Sequence, residues 1–179
     1  NREQNQVLAV QTDRQILRAS AIILAAGGSS WPSTGSSGDS YRLAAQIGHH
    51  LIPTRPALVP MITPVAAVRR LSGLSCTDVQ ARLLLAGQVA GKASGDLLFT
   101  HFGLSGPVIL RLSRDLPDPV PADCTIELNL QPQFSPEEWL RLLERQCQAS
   151  PRRQLANVLG AGQLPQALVQ AILTIASIP

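Results

Sequence analysis

The chain has 179 residues, 45% hydrophobic and 15% charged, and its charged share is well below the roughly 25% of ordinary globular domains. That excludes a disordered polar chain, and no apolar run approaches the ~18 residues of a membrane-spanning helix, so no membrane partner is expected. The formal charge of +3 comes from dispersed arginines and one lysine, and two Trp, one Tyr and three Phe are too few for a base-stacking platform, so no nucleic-acid partner is expected.

Residues 7–10 and 15–18 flank a polar turn at Thr12-Asp13 and predict a β-hairpin. Residues 21–25 form a short unbroken apolar run, suited to a strand buried on both faces as in a parallel sheet, although periodicity alone also allows a helix. Residues 27–38 are Gly, Ser, Thr and Pro with a single Trp, and therefore a loop. Asp39 reads as the N-cap of a helix over 40–47, with Gly48 as a left-handed stop. Pro53, Pro56, Pro60 and Pro64 then mark an extended crossing and a candidate domain boundary.

Beyond that crossing the period changes to two. Val79, Ala81, Leu83 and Leu85 alternate with Asp78, Gln80, Arg82 and Leu84, and Gly87 turns the chain before Val89. Cys124, Ile126, Leu128 and Leu130 alternate with Thr125, Glu127 and Asn129, so both stretches predict half-buried strands of an antiparallel sheet or small barrel. Between them, Ser105-Gly106-Pro107 opens a short helix to about Arg114. Ser135-Pro136-Glu137-Glu138 is a capping box for a helix with Trp139, Leu140, Leu143 and Cys147 on its apolar face, an ion pair between Glu137 and Arg141, and Pro151 as its stop. Residues 154–159 and 165–176 predict two more helices, the latter buried through Leu168, Ala171, Ile172 and Ile175.

The local feature most suited to chemistry is the apolar run that enters Ala25, Ala26, Gly27, Gly28 and Ser29. Small side chains there let main chain approach a flat cofactor, and free N–H groups can meet its oxygens; a plain tight turn accounts for the same residues equally well. Residues 35–38 lack both Gly-Lys-[Ser/Thr] and GxGxxG, and helix capping explains them without a phosphate. Gly103-Leu104-Ser105-Gly106-Pro107 begins like a nucleophile elbow but has Pro107 where glycine is required. His101 has Phe102 and Leu104 around it, neighbours that favour a packed structural histidine over a catalytic base. His49, His50 and His101 show no ligand spacing, so no metal is expected. Cys76, Cys124 and Cys147 are odd in number and far apart, as suits a reducing cytosol.

Three ordered segments resemble one family. They are residues 24–39, Leu-Ala-Ala-Gly-Gly-Ser-Ser-Trp-Pro-Ser-Thr-Gly-Ser-Ser-Gly-Asp, with Tyr41; then Pro56-Ala57-Leu58-Val59-Pro60 with Leu71-Ser72-Gly73-Leu74-Ser75; then Gly95-Asp96-Leu97-Leu98-Phe99-Thr100-His101-Phe102-Gly103-Leu104-Ser105-Gly106-Pro107. Together they resemble the YhiN/BaiN-like, or aminoacetone oxidase-like, flavoproteins. The resemblance implies an α+β fold: residues 1–55 as the trailing part of a FAD-binding α/β domain (hairpin, strand, Gly-rich loop, helix), 56–131 as an inserted antiparallel β-barrel-like part, and 132–179 as its helical part. Such proteins begin with a GxGxxG fold and end with a strand-rich return to it, and the chain lacks an initial Met and stops within an apolar helical stretch. A central piece of a longer cytoplasmic protein is therefore expected, with the N- and C-terminal parts of the FAD domain as its partners.

The resemblance further implies hydride transfer between FAD and a small organic substrate or NAD(P)H, the cofactor carrying the chemistry and the protein orienting it. Ala25, Ala26, Gly27, Gly28 and Ser29 would abut the flavin, Thr100 and Ser105 would face substrate, and His101 would be catalytic. Ala26 and Trp31 stand where the family has threonine and tyrosine, so two hydroxyls are lost there. The alternative is a non-enzymatic partner-binding module built on a small β-barrel with helices.

Overall fold

A computed structural model describes residues 9–152, 154–159 and 164–178, together with the backbone of 2–3 and 6–7. The chain divides into two compact units, Asn1–Thr54 and Arg55–Pro179.

In the first unit, β1 (Arg2–Glu3) pairs with β2 (Gln6–Val7), and β3 (Ala9–Gln11) pairs antiparallel with β4 (Ile16–Arg18). The second hairpin is the expected one, although residue 8 of its first arm lies outside the described residues. Its turn closes on Thr12, whose N–H donates to the Gln15 carbonyl at 2.9 Å and whose Oγ1 accepts from the Gln15 N–H at 3.0 Å. The strand expected at 21–25 does not form. The run is extended but enters no ladder, and Ile22, Ile23 and Leu24 are 38%, 90% and 40% exposed. A strand buried on both faces exists only through its neighbours, and no described strand pairs with this one.

The Gly/Ser loop contains a 3-10 turn at Pro32–Thr34 and closes when the Gly38 N–H donates to the Gly28 carbonyl at 3.0 Å. Helix α1 (Asp39–Gln46) follows. Its N-cap is Gly38, at φ 83°, so Asp39 is the first helical residue and not the cap. The Asp39 carboxylate instead accepts from the Ser37 hydroxyl at 2.7 Å and from Arg42 at 3.0 Å. Gly48 ends the helix in the left-handed conformation.

The second unit is built on one antiparallel sheet: β5 (Met61–Ile62), β6 (Ser75–Leu85), β7 (Gln88–Phe99), β8 (Gly103–Ser105) and β9 (Thr125–Asn129), in the order β5-β8-β7-β6-β9, curled as a half-barrel. The fold class is thus α+β. Ala86 and Gly87, both at positive φ (49° and 75°), form the two-residue turn between β6 and β7, matching the twist of the strands. Val79, Ala81 and Leu83 point inward with Leu97 and Phe99, and the sheet is filled by Val108, Ile109 and Leu112 of α3 (Pro107–Leu112). The proline crossing is tied to the end of α3: the Val59 N–H donates to Ser113 Oγ at 3.0 Å, and Arg55 reaches the carbonyls of Leu116 and Arg114.

Three short helices and one long one complete the unit: α2 (Ala66–Arg69), α4 (Pro136–Ala149), α5 (Leu155–Leu159) and α6 (Gln166–Ile175). The Ser135–Glu138 capping box opens α4 as expected. The stripe of α4 is shifted, however. Trp139, Leu142, Leu143 and Gln146 are half-buried, while Leu140 and Cys147 are exposed, and the described ion pairs are Arg42–Asp39 and Arg82–Glu127, so Glu137–Arg141 does not close. In α6 the buried residues are Leu168, Val169 and Leu173; Ile172 and Ile175 are exposed. The helix serves two neighbours, Leu168 joining the sheet core and Val169 and Leu173 packing on Ala156 of α5, which turns it away from the single stripe its periodicity suggests. No helix among the described residues is long and apolar enough to cross a membrane.

Candidate functional site

The sequence places candidate residues in both units. In the first, Ala25, Ala26, Gly27 and Ser29 are exposed and Gly28 is half-buried. The main chain of Ala25 to Gly27 makes no hydrogen bond to the described residues, so its N–H and C=O groups are available to a ligand. The two glycines also have a local purpose. Gly27 lies at φ 77°, and a Cβ on Gly28 would sit 2.9 Å from the Tyr41 hydroxyl of α1. Close by in sequence, Ser40 Oγ is buried with no hydrogen-bond partner, and Trp31 is 66% exposed. Small exposed side chains, unengaged amides and an open aromatic together fit a flat, oxygen-bearing cofactor such as flavin laid along this main chain.

In the second unit Thr100 and His101 lie on the turn between β7 and β8, and Ser105 lies on β8. Thr100 and Gly103 exchange main-chain hydrogen bonds at 2.8 and 3.2 Å, and Thr100 Oγ1 accepts a further one from the Gly103 N–H at 3.0 Å. His101 and Phe102 form the tip between β7 and β8. The Thr63 N–H donates to the Phe102 carbonyl at 3.1 Å, so β5 clamps the tip from the side. His101 is exposed, meets the Phe102 ring edge-on at 4.9 Å, and has no hydrogen bond or ion pair among the described residues. The packed histidine favoured by its neighbours is therefore not what the fold builds.

The rest of the motif is explained by packing. Leu97, Phe99 and Leu104 are buried. A Cβ on Gly103 would lie 2.2 Å from the Met61 carbonyl, and one on Gly106 would lie 2.6 Å from the Asp96 carbonyl. Pro107 is the first residue of α3, and its N-cap is Gly106, not Ser105. Ser105 is the last residue of β8, opposite Leu98. Thr100 and Ser105, on neighbouring strands two residues from Leu98 and Gly103 respectively, share one face of the sheet.

No group of three or more His, Cys, Asp or Glu that could hold a metal ion is found among the described residues. Burial pushes the thiols of Cys76 and Cys124 up from their ordinary range, with Asp123 adding to the effect at Cys124. A groove of about 400 Å³ between β9, α4 and α6 has uncharged walls and includes none of the candidate residues.

Comparison with known proteins places this arrangement. The family described as HI0933-like protein barrel and H2TH domain matches residues 55–179. A ribosomal RNA dihydrouridine synthase of Escherichia coli is 32% identical over 158 residues, covering 88% of this chain and 37% of the relative. A second protein of that name, from Haemophilus influenzae, is 33% identical over 150 residues, 83% of this chain and 34% of the relative. A 3-dehydro-bile acid delta(4,6)-reductase of Clostridium scindens is 35% identical over 107 residues, 60% of this chain and 26% of the relative. The chain therefore spans about a third of the length of these relatives.

Proposed function

Because the chain belongs to this barrel and H2TH family, the YhiN/BaiN-like flavoproteins, we propose that it is the middle of a cytoplasmic, FAD-dependent reductase that saturates a ring carbon–carbon double bond conjugated to a carbonyl. The relatives' names describe one bond change: dihydrouridine is uridine with its ring double bond saturated, and a delta(4,6)-reductase saturates ring double bonds of a ketosteroid. In this reading residues 1–55 belong to the FAD domain, 56–131 are the barrel-like part of an insert, and 132–179 its helical part. Ala25, Ala26, Gly27, Gly28 and Ser29 hold the flavin through main-chain groups. The bound flavin supplies the hydride, with a nicotinamide as electron source. A ring N–H of His101 gives the proton to the carbon next to the carbonyl, so one hydride and one proton account for both new C–H bonds. Thr100 holds the turn that carries His101, and Ser105 lies beside it on the substrate side.

The observation that carries this reading is His101 itself: exposed and unpaired on a turn clamped by three strands, within a motif whose glycines, proline and buried apolar residues the fold accounts for. The test is anaerobic single-turnover oxidation of reduced flavin in the full-length protein. His101→Ala should slow it by about 100-fold or more with flavin content and melting temperature unchanged. An unchanged rate removes His101 from catalysis. A colourless full-length protein removes the flavin reading and leaves the partner-binding module.

Two of the relatives favour a second reading, in which the ring is a uracil of ribosomal RNA. It replaces the small-molecule substrate by a nucleic acid without changing the bond chemistry.

A further inference from the structure

Two hydroxyls reach the glycine pair of the candidate flavin segment. A Cβ on Gly28 would lie 2.9 Å from Tyr41 Oη, and one on Gly27 would lie 3.1 Å from Ser36 Oγ. Tyr41 comes from the first turn of α1 and Ser36 from the loop before it, so both arrive from one corner of the first unit. Both residues are half-buried, and neither hydroxyl makes a hydrogen bond among the described residues. Packing accounts for the ring of Tyr41. Its N–H donates to the Gly38 carbonyl at 3.0 Å, and its Cδ2 lies 3.5 Å from where a Cβ on Gly38 would be, so Gly38 and Gly28 leave the space that the ring crosses. Packing does not account for the hydroxyl, because phenylalanine would fill the same space without bringing a polar group against main chain. The adjacent main chain does not take it either: the Gly28 carbonyl accepts from the Gly38 N–H at 3.0 Å, and residues 25–27 make no hydrogen bond to the described residues.

We propose that Tyr41 is a flavin-binding residue, its hydroxyl donating to an oxygen of the FAD held along residues 25–29, with Ser36 donating beside it. This rests on the flavin reading above. Hydroxyl donors next to unengaged amide N–H groups suit a ligand rich in oxygen acceptors. FAD offers two kinds, the carbonyls of its ring and the oxygens of its pyrophosphate, and the two differ in what a lost bond does to the visible spectrum.

The test strips the full-length protein of cofactor and titrates it with FAD, followed by fluorescence quenching and visible absorbance. The variants are Tyr41→Phe and Ser36→Ala, with Ser33→Ala as a control. Ser33 is exposed in the same loop and comes within 4 Å of neither glycine's Cβ position. Tyr41→Phe keeps the ring and removes only the hydroxyl. It should raise the Kd for FAD about tenfold, the effect of one lost hydrogen bond, with the apoprotein melting temperature unchanged. Ser36→Ala should raise the Kd as well, and Ser33→Ala should not. Weaker binding with shifted flavin bands puts the Tyr41 bond on the ring; weaker binding with unmoved bands puts it on the pyrophosphate. A Tyr41→Phe protein with wild-type Kd and spectrum overturns the inference and leaves the flavin reading standing. Weaker binding together with a lower apoprotein melting temperature also overturns it, and makes the hydroxyl part of the loop's own packing. An unchanged Kd in Ser36→Ala removes Ser36 from the site. A wild-type protein that binds no FAD overturns the flavin reading and this inference together.

Discussion

A side chain at Gly28 would bring its first carbon to 2.9 Å from the Tyr41 hydroxyl, so Gly28→Val strains the loop with or without a cofactor. Ala26 separates the two roles, because it is exposed and its main chain is unengaged. Ala26→Val should lower flavin content in the full-length protein while the melting temperature of the apoprotein holds; retained flavin would argue for a plain turn. A similar separation applies at the start of α3. Ser105 makes no capping bond, so Ser105→Ala should leave stability within about 0.5 kcal/mol of wild type. Gly106→Ala, at φ 93° with the Asp96 carbonyl in the way, should cost on the order of 1–3 kcal/mol by urea denaturation. The thiols divide by exposure. Iodoacetamide at pH 8 should label exposed Cys147 well before Cys76 or Cys124, as peptide mass mapping would read. Burial raises the folded pKa of the latter two, so their contribution to stability is complete below the unfolded value near 8.5 and is lost as pH rises through the folded one.

Among the elements, α4 is the one whose start is fixed by chemistry local to it. The Ser135 Oγ accepts from the Glu138 N–H and the Glu138 carboxylate accepts from the Ser135 N–H, two amides that would otherwise face water unpaired. Ser135→Ala should cost about 1 kcal/mol, measured by thermal or urea unfolding. At α1 the Ser37 hydroxyl, followed by Arg42, holds the Asp39 carboxyl below its ordinary range. A depressed folded pKa gives stability above the unfolded value near 3.9 that is lost as pH falls through the folded one. Asp39→Asn should therefore lower stability slightly at neutral pH and leave it unchanged in strong acid, so that the acid limb of the melting temperature flattens by that same small amount, the group being on the surface. Strand β7 shows what alternation alone misses. From Gly91 to Gly95 its residues are small or polar, and it is a strand because β6 pairs with it throughout, Ser94 opposite Gln80 and Lys92 opposite Arg82, while α3 packs on it: Arg111 donates to the Ser94 carbonyl at 2.9 Å and Pro107 lies 3.6 Å from where a Gly95 Cβ would be.

For the whole molecule, the run at 21–25 is the telling segment. Its apolar side chains are exposed and its main chain is unpaired among the described residues. In the proposed flavoprotein it is a sheet strand, so amide exchange there should be fast in the isolated chain and protected in the full-length protein. Fast exchange in both would refute its place in a sheet. The isolated chain should likewise bind FAD weakly or not at all, because a GxGxxG turn is absent from it; comparable fluorescence quenching by both proteins would overturn this.

Features governed by neighbours in sequence could be read from the sequence itself. The Thr12 hairpin, the alternation of β6 and β9, the stop at Gly48 and the Ser135 capping box each depend on residues within a few positions of one another. Features governed by distant contacts could not. Periodicity gave the helical character of α4 and α6 but not which stripe is buried, since that depends on what packs against them. The motif around His101 was legible as a string of residues, yet its neighbours suggested a buried histidine. Only the pairing of β7, β8 and β5 puts that side chain in solvent, because Phe102 gives its carbonyl to Thr63, and Leu97, Phe99 and Leu104 fill the core on the opposite face. The same pairing brings Ile62 opposite Gly103, at the foot of the turn that carries the histidine, a juxtaposition that no local pattern encodes.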